Sequence, residues 1–501
     1  MTKTGYFASF AALMGATWLL TGCFDDSVPA VTDVQHDRIR VAMLQPPRSG
    51  LTPLSDDAFK LSRWSTAETL VTLNSVGEAQ PALALSWQQL TPTRWQVILR
   101  QGVKFHDGQM LNAAAVVNAL TVANSAAPKP RILDGVKWQM ATEGEYTLSI
   151  TTQQPDPLLP QRLSSPQLAI LSPLAYGSGH GVDPVKHGSG PYVLTHVEGT
   201  SSATLERFAD YWGEKASASG IDVSFVPDGT ARAAALRSGK ADIVEAIPVA
   251  QAPLLDPERV HEVPMPRTNT LYLNTRTGIT QDPAIRAAIR SAINRQQIVD
   301  NVYEKRADIA EGLLGPALPW AAELRIPSAN RVQPAAISGQ QITLATFSDR
   351  TELPEVAVYL AQQLTAAGFS VKQVVREYSQ IESDALAGKF DAFILSRATV
   401  LDSGDPLAYL YSDFACDGSF NIAQLCQPAI DAALKQAAVI PAGHERRVAI
   451  MQVENMILAT DAAIPMLHER VIQGESQRVF AAIRDPRERS LIDSQTRIQA
   501  E

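Results

Sequence analysis

Between Ile342 and Leu395 strand and helix signals alternate five times, and this run constrains the fold of the chain more than any other feature. Ile342–Thr346 reads as a strand, Pro354–Ala367 as a helix stopped by Gly368, and Phe369–Val375 as a second strand. Ser379–Ala387 then reads as a helix and Phe390–Leu395 as a third strand. That order predicts a parallel sheet with right-handed crossovers. Ligands of open parallel sheets bind beyond the carboxyl ends of the strands. The predicted sheet therefore directs attention to Ser396, Arg397 and the loop Leu401–Pro406, which follow its last strand.

Alternation continues along the rest of the chain. Arg38–Met43 is an expected strand, as are Thr147–Ile150, Tyr192–Leu194, Ile221–Val226, Ala241–Glu245 and Leu271–Asn274. Trp95, Val97 and Leu99 alternate with Arg94, Gln96 and Arg100 as in a half-buried strand, with Ile98 out of pattern. Asn112 and the pair Asp282-Pro283 are helix starts, each followed by an apolar stripe. Gly229–Arg237, Pro428–Ala438 and His444–Leu458 are further helices, and Ile464–Val479 reads as strand. A chain of 501 residues exceeds what one core holds, so at least two lobes are expected. The terminal strand is expected to return to the first lobe, leaving crossings near 267–272 and 466–472 as a hinge. Trp64, Trp138 and Tyr176 fit either a core or a cleft.

Lys3 precedes an apolar segment, Tyr6–Leu20, that closes on Leu20-Thr-Gly-Cys23. An apolar run of about 15 residues is short for a transmembrane helix and suits a signal peptide. Small residues before a cysteine resemble the bacterial lipobox, in which Cys23 is acylated and anchors the protein to a membrane. Residues 1–22 are then the lipoprotein signal peptide and 23–37 a polar tether, and the mature chain resides in the periplasm or at the cell surface. In such an oxidising compartment the two other cysteines, Cys416 and Cys426, are expected to form a disulfide. The net charge of −9 argues against nucleic acid as a partner.

Catalytic signatures are lacking. No His-Glu-x-x-His occurs, no phosphate loop occurs, and Gly177–Gly181 lacks the third glycine of a dinucleotide loop. No metal site and no cofactor are implied. Arg397 offers a planar fork suited to a ligand carboxylate, and Asp402 or Asp405 can accept a ligand ammonium. The alternatives are a structural Arg–Asp pair and an aspartate capping the helix that begins at Pro406.

Several segments, in order, resemble the family 5 extracellular solute-binding proteins, which include dipeptide-, oligopeptide- and nickel-binding proteins. They are Glu68-Thr-Leu-Val71, Pro81–Trp87, Trp95–Gly108, Gly188–Tyr192, Tyr211-Trp-Gly213, Arg232–Asp242, Leu271–Thr275, Asp282–Arg286 and Gly388–Phe393. The resemblance implies an α/β, two-lobe periplasmic-binding-protein-like fold with an extra subdomain in the first lobe and a ligand cleft between the lobes. The expected division is a first lobe 38–270 with the subdomain at about 75–187, a second lobe 271–468, and a return to the first lobe over 469–501. The implied function is capture of a small peptide-like solute for an ABC permease served by a separate ATPase, by a monomer. A nickel- or metal-chelate-binding protein is the alternative, and an extracytoplasmic peptide hydrolase the rival of another class. The resemblance favours Asp405 for a peptide amino terminus and likens Arg397 to an arginine of the nickel-binding members. Arg131 falls near a second such arginine. His106 and Asp107 then become turn residues.

Overall fold

The computed structural model describes residues 37–133, 136–177, 181–327, 331–400 and 403–499. Cys23, the segment 1–22, the tether up to residue 36, and Asp402 lie outside the described residues.

The alternating run folds as its pattern requires. Gln341–Phe347 is flanked by Ser370–Arg376 and Ala392–Ala398, both parallel to it. The helices Glu352–Ala366 and Tyr378–Leu386 make the crossovers. Gly368, at φ 101°, ends the first helix in a conformation that a side chain would disfavour. Leu344, Leu353, Leu360 and Ile394 are fully buried in the core beneath.

A second parallel set forms around the first predicted strand. Arg38–Met43 pairs in parallel with Gly220–Phe225 on one side and Ile243–Val244 on the other. The helix Gly229–Arg237 crosses between the two partners, capped by Asp228. Ser202–Arg207 and Tyr192–Glu198 extend this set as antiparallel neighbours. Its core holds Ile39, Val41, Leu61, Trp64, Tyr192 and Ile221.

Two long antiparallel strands, Val260–Leu273 and Ala463–Glu475, join the two sets into one eleven-stranded sheet. At one end Gly474 and Glu475 pair with Val244 and Ile243; at the other Arg267–Leu273 pairs with Ala392–Ala398. The first of these strands is far longer than its sequence signal. Pro264 and Pro266 mask its beginning, and the register with its partner shifts between Pro264 and Thr268. The expected strand Ala241–Glu245 is shorter, at Ile243–Val244.

A separate antiparallel sheet of four strands runs in the order Ala84–Thr91, Arg94–Leu99, Thr147–Thr152, Trp138–Thr142. It packs on the helix Ala113–Ser125, which starts where Asn112 accepts a hydrogen bond from the Ala115 amide at 2.9 Å. Val97 and Leu99 face that core, whereas Ile98 is 40 % exposed on the other face, which accounts for its break in pattern. Trp64 and Trp138 are core residues, and Tyr176 packs partly buried against both of these cores. No helix of the described residues is long and apolar enough to cross a membrane.

Candidate functional site

The charged residues of the sequence motifs turn inward. Glu68 accepts hydrogen bonds from Ser189 Oγ at 2.7 Å, Tyr211 Oη at 2.9 Å and Trp212 Nε1 at 3.0 Å. Three motifs distant in sequence therefore meet on one carboxyl group, and burial raises its pKa although all three donors work against that rise. Arg232 donates to the carbonyls of Val226, Pro227, Glu245 and Ala246, and Arg286 to those of Thr280, Gln281 and Thr460. Asp242, fully buried, receives Arg40 Nη2 at 2.7 Å. His106 Nε2 lies 2.8 Å from the Gly190 carbonyl, and Asp107 accepts from the Gln109 amide, as expected of turn residues. These side chains close the fold on itself and leave nothing to offer a ligand.

The accessible charges lie elsewhere, at the carboxyl ends of the two parallel sets. From the second set come Arg350, just after Gln341–Phe347, and Arg397, near the end of Ala392–Ala398. From the first set comes Glu245, directly after Ile243–Val244. Arg267 enters from the long joining strand and Arg63 from the helix Ala58–Arg63. Glu488 comes from the segment after Val479–Phe480.

Four ion pairs result, and they differ in closeness. Arg397 grips Asp413 with Nε at 2.9 Å from Oδ2 and Nη2 at 2.8 Å from Oδ1. Asp413 is fully buried and also accepts from Tyr272 Oη at 3.3 Å. Burial disfavours the Arg397 charge, but Asp413 more than offsets it and raises the guanidinium above its ordinary value. The Phe420 ring lies 4.3 Å from the Arg397 carbon, a cation–π contact that fixes the plane of the fork. Arg350 Nη1 meets Glu469 at 2.7 Å, and Arg63 pairs with Glu245. Arg267 is held least: Nη2 is 3.6 Å from Glu488, and its buried Nε has no hydrogen-bond partner. Burial first, then repulsion from Arg350, lowers the Arg267 pKa. Burial opposes the charge of Glu488, but Arg267, Arg63 and Arg350 together hold its carboxyl below the usual range.

Of the residues singled out from sequence, Arg397 stands in this cluster. Asp405 does not present a free carboxylate. It accepts Arg446 Nε at 2.6 Å and the Leu407 amide at 2.9 Å, at the start of the helix Leu407–Phe414. The structural alternative considered for it is the geometry found. Arg131 pairs with Asp56 at 3.4 Å on the surface. Cys416 and Cys426 are joined as a disulfide. Arg267, Arg350 and Glu488 carried no sequence signal, because none stands in a motif and their convergence depends on the joining strands. Among the described residues no group of three or more His, Cys, Asp or Glu side chains is placed to hold a metal ion.

Two parallel sheet halves bridged by two long strands, with basic side chains converging at their carboxyl ends, define a two-lobe α/β binding fold. Comparison with known proteins agrees. Residues 78–421 match the bacterial extracellular solute-binding proteins, family 5, middle region. The nickel-binding protein NikA of Staphylococcus aureus is 26 % identical over 370 residues, 71 % of this chain and 73 % of that protein. The glutathione-binding protein GsiB of Escherichia coli K12 is 28 % identical over 302 residues, 57 % of this chain and 59 % of its own length. The chain thus spans less than two thirds of that relative. The structure of NikA from Brucella suis in complex with Fe(III)-EDTA superposes with a TM-score of 0.79. It has 22 % identity and covers 92 % of this chain and 100 % of that one. The chain belongs to family 5 of the bacterial extracellular solute-binding proteins.

Proposed function

We propose that this protein is the substrate-binding component of an ABC importer and captures a small, carboxylate-bearing, peptide-like solute by closure of its lobes. The observation that carries this reading is the convergence of Arg267, Arg350 and Arg397, all from the second lobe or its joining strand, on a partly exposed cleft faced by Glu488. Arg267, Arg350 and Arg397 keep 20 %, 37 % and 23 % of their side-chain surface open, so a solute carboxylate can reach them. Guanidinium forks suit planar carboxylates.

The lobes divide at the joining strands: first lobe 38–270 with a subdomain at about 75–187, second lobe 271–468, and 469–501 back on the first. Separate cores beneath each part support that division. Closure swings the lobes about Val260–Leu273 and Ala463–Glu475, and only contacts stronger in the closed state drive it. An acylated Cys23 tethers the monomer outside the cytoplasm beside its permease, and a separate ATPase powers uptake.

A second reading, a chelated metal ion as cargo, is favoured by one observation. The cleft offers guanidinium groups, which bind a chelator's carboxylates and cannot ligate metal themselves. A thermal-shift screen of the dipeptide Met-Leu, reduced glutathione and nickel–histidine separates the two. A solute at 100 times its Kd adds about 2.7 kcal/mol of stability. Stabilisation by none of them, or turnover of the peptides, would refute solute capture.

A further inference from the structure

Resting on that reading, we propose that Arg267 takes the solute carboxylate and does so by exchanging it for Glu488, a carboxylate the fold keeps resident in the cleft. Of the four arginines here, three are closely satisfied by protein groups and Arg267 is not. Its contact with Glu488 Oε2, at 3.6 Å, is longer than a hydrogen bond, and its Nε has no partner. A buried guanidinium nitrogen left unpaired costs free energy that an incoming carboxylate can recover. Arg397 is less available, because its Nε and Nη2 edge is given to Asp413.

Glu488 is delivered by a built turn. The Asp485 carboxylate accepts the amides of Arg487 at 2.9 Å, Arg489 at 2.9 Å and Ser490 at 3.1 Å. Glu488 itself sits at φ 56°, left-handed for a residue with a side chain, a conformation that surrounding contacts must enforce. Those contacts come from the first lobe. Arg63 Nε donates to the Glu488 carbonyl at 2.8 Å, the Leu491 and Ile492 amides donate to the Arg63 carbonyl, and Ser62 Oγ donates to the Arg489 carbonyl. The exchange does not strand Glu488, because Arg63 Nη2 already lies 3.3 Å from its Oε1 and remains when Arg267 turns to the solute. Glu488 is thus a first-lobe competitor at fixed position, and it sets how strong an anion must be to bind.

The test compares wild type, Glu488→Gln, Arg267→Gln and Arg267→Lys by calorimetric titration with Met-Leu, its C-terminal amide, reduced glutathione and nickel–histidine. Circular dichroism confirms that each variant is folded. Removing the competitor is expected to tighten carboxylate-bearing probes about tenfold and Arg267→Gln to weaken them about tenfold. Arg267→Lys falls between, and the amide responds to neither change. A probe bound by Glu488→Gln and not by wild type supports the exchange as well. If wild type binds a probe and the variants bind it equally, the exchange is wrong and solute capture stands. If no form binds any probe, both are wrong.

Discussion

Replacing Asp405 by Asn separates a structural carboxylate from a ligand-binding one. The Arg446 side chain is 3 % exposed and that of Asp405 12 %, so the pair is shielded from solvent. Arg446 Nε meets Asp405 Oδ2 at 2.6 Å, while Nη1 donates to the carbonyls of Ala437 and Ile440 at 2.7 and 2.8 Å. Asn removes the only carboxylate hydrogen-bonded to this guanidinium but leaves those carbonyls, so the loss falls near the low end of a broken buried pair, about 3 kcal/mol. The single amide oxygen can serve Arg446 or the Leu407 amide, not both, and a lost cap adds about 1 kcal/mol. A total of about 3–4 kcal/mol should appear in urea unfolding of the solute-free protein, with fluorescence and circular dichroism transitions required to coincide. Solute affinity should stay within about twofold of wild type, since an unchanged cleft leaves ΔG of binding unchanged. A variant about as stable as wild type that has lost affinity would refute this assignment and return Asp405 to the binding site.

Burial holds His106 and His468 at pKa values of about 4, against 6.5 in the unfolded chain. Between those values the unfolded chain binds protons that the folded one does not, so stability should fall as pH drops from about 6.5 toward 4, by roughly 3 kcal/mol per histidine. Imidazole resonances that titrate near 6.5 in the folded protein would contradict it. Glu68→Ala strips Ser189, Tyr211 and Trp212 of their common acceptor and should cost about 3 kcal/mol or more, read by urea unfolding; a loss below about 1 kcal/mol would show the hub to be ornamental. Replacing Cys416 and Cys426 by Ser opens a loop of ten-residue separation and should cost about 2–3 kcal/mol, checked by the same unfolding with wild type kept oxidised.

The alternation of apolar strands and capped helices determined the local elements, because helix and strand periods and caps act within a few residues. Gly229–Arg237 and the parallel trio around Gln341–Phe347 were legible for that reason. Family membership was legible too, through motifs such as Gly188–Tyr192 and Tyr211-Trp-Gly213, but the role of those motifs was not. Only the folded chain shows that Glu68, Arg232, Asp242 and Arg286 satisfy one another or the backbone. The long strand Val260–Leu273 escaped notice because its prolines deny the local signal, and its pairing with Ala463–Glu475 supplies the missing support. The cleft followed the same rule. Arg397 was legible as a strand-end residue, whereas the tie of Asp405 to Arg446 and the meeting of Arg267 with Glu488 join residues far apart in the chain. A charge's partner and its access to water depend on what the whole fold brings beside it, and no local pattern encodes that.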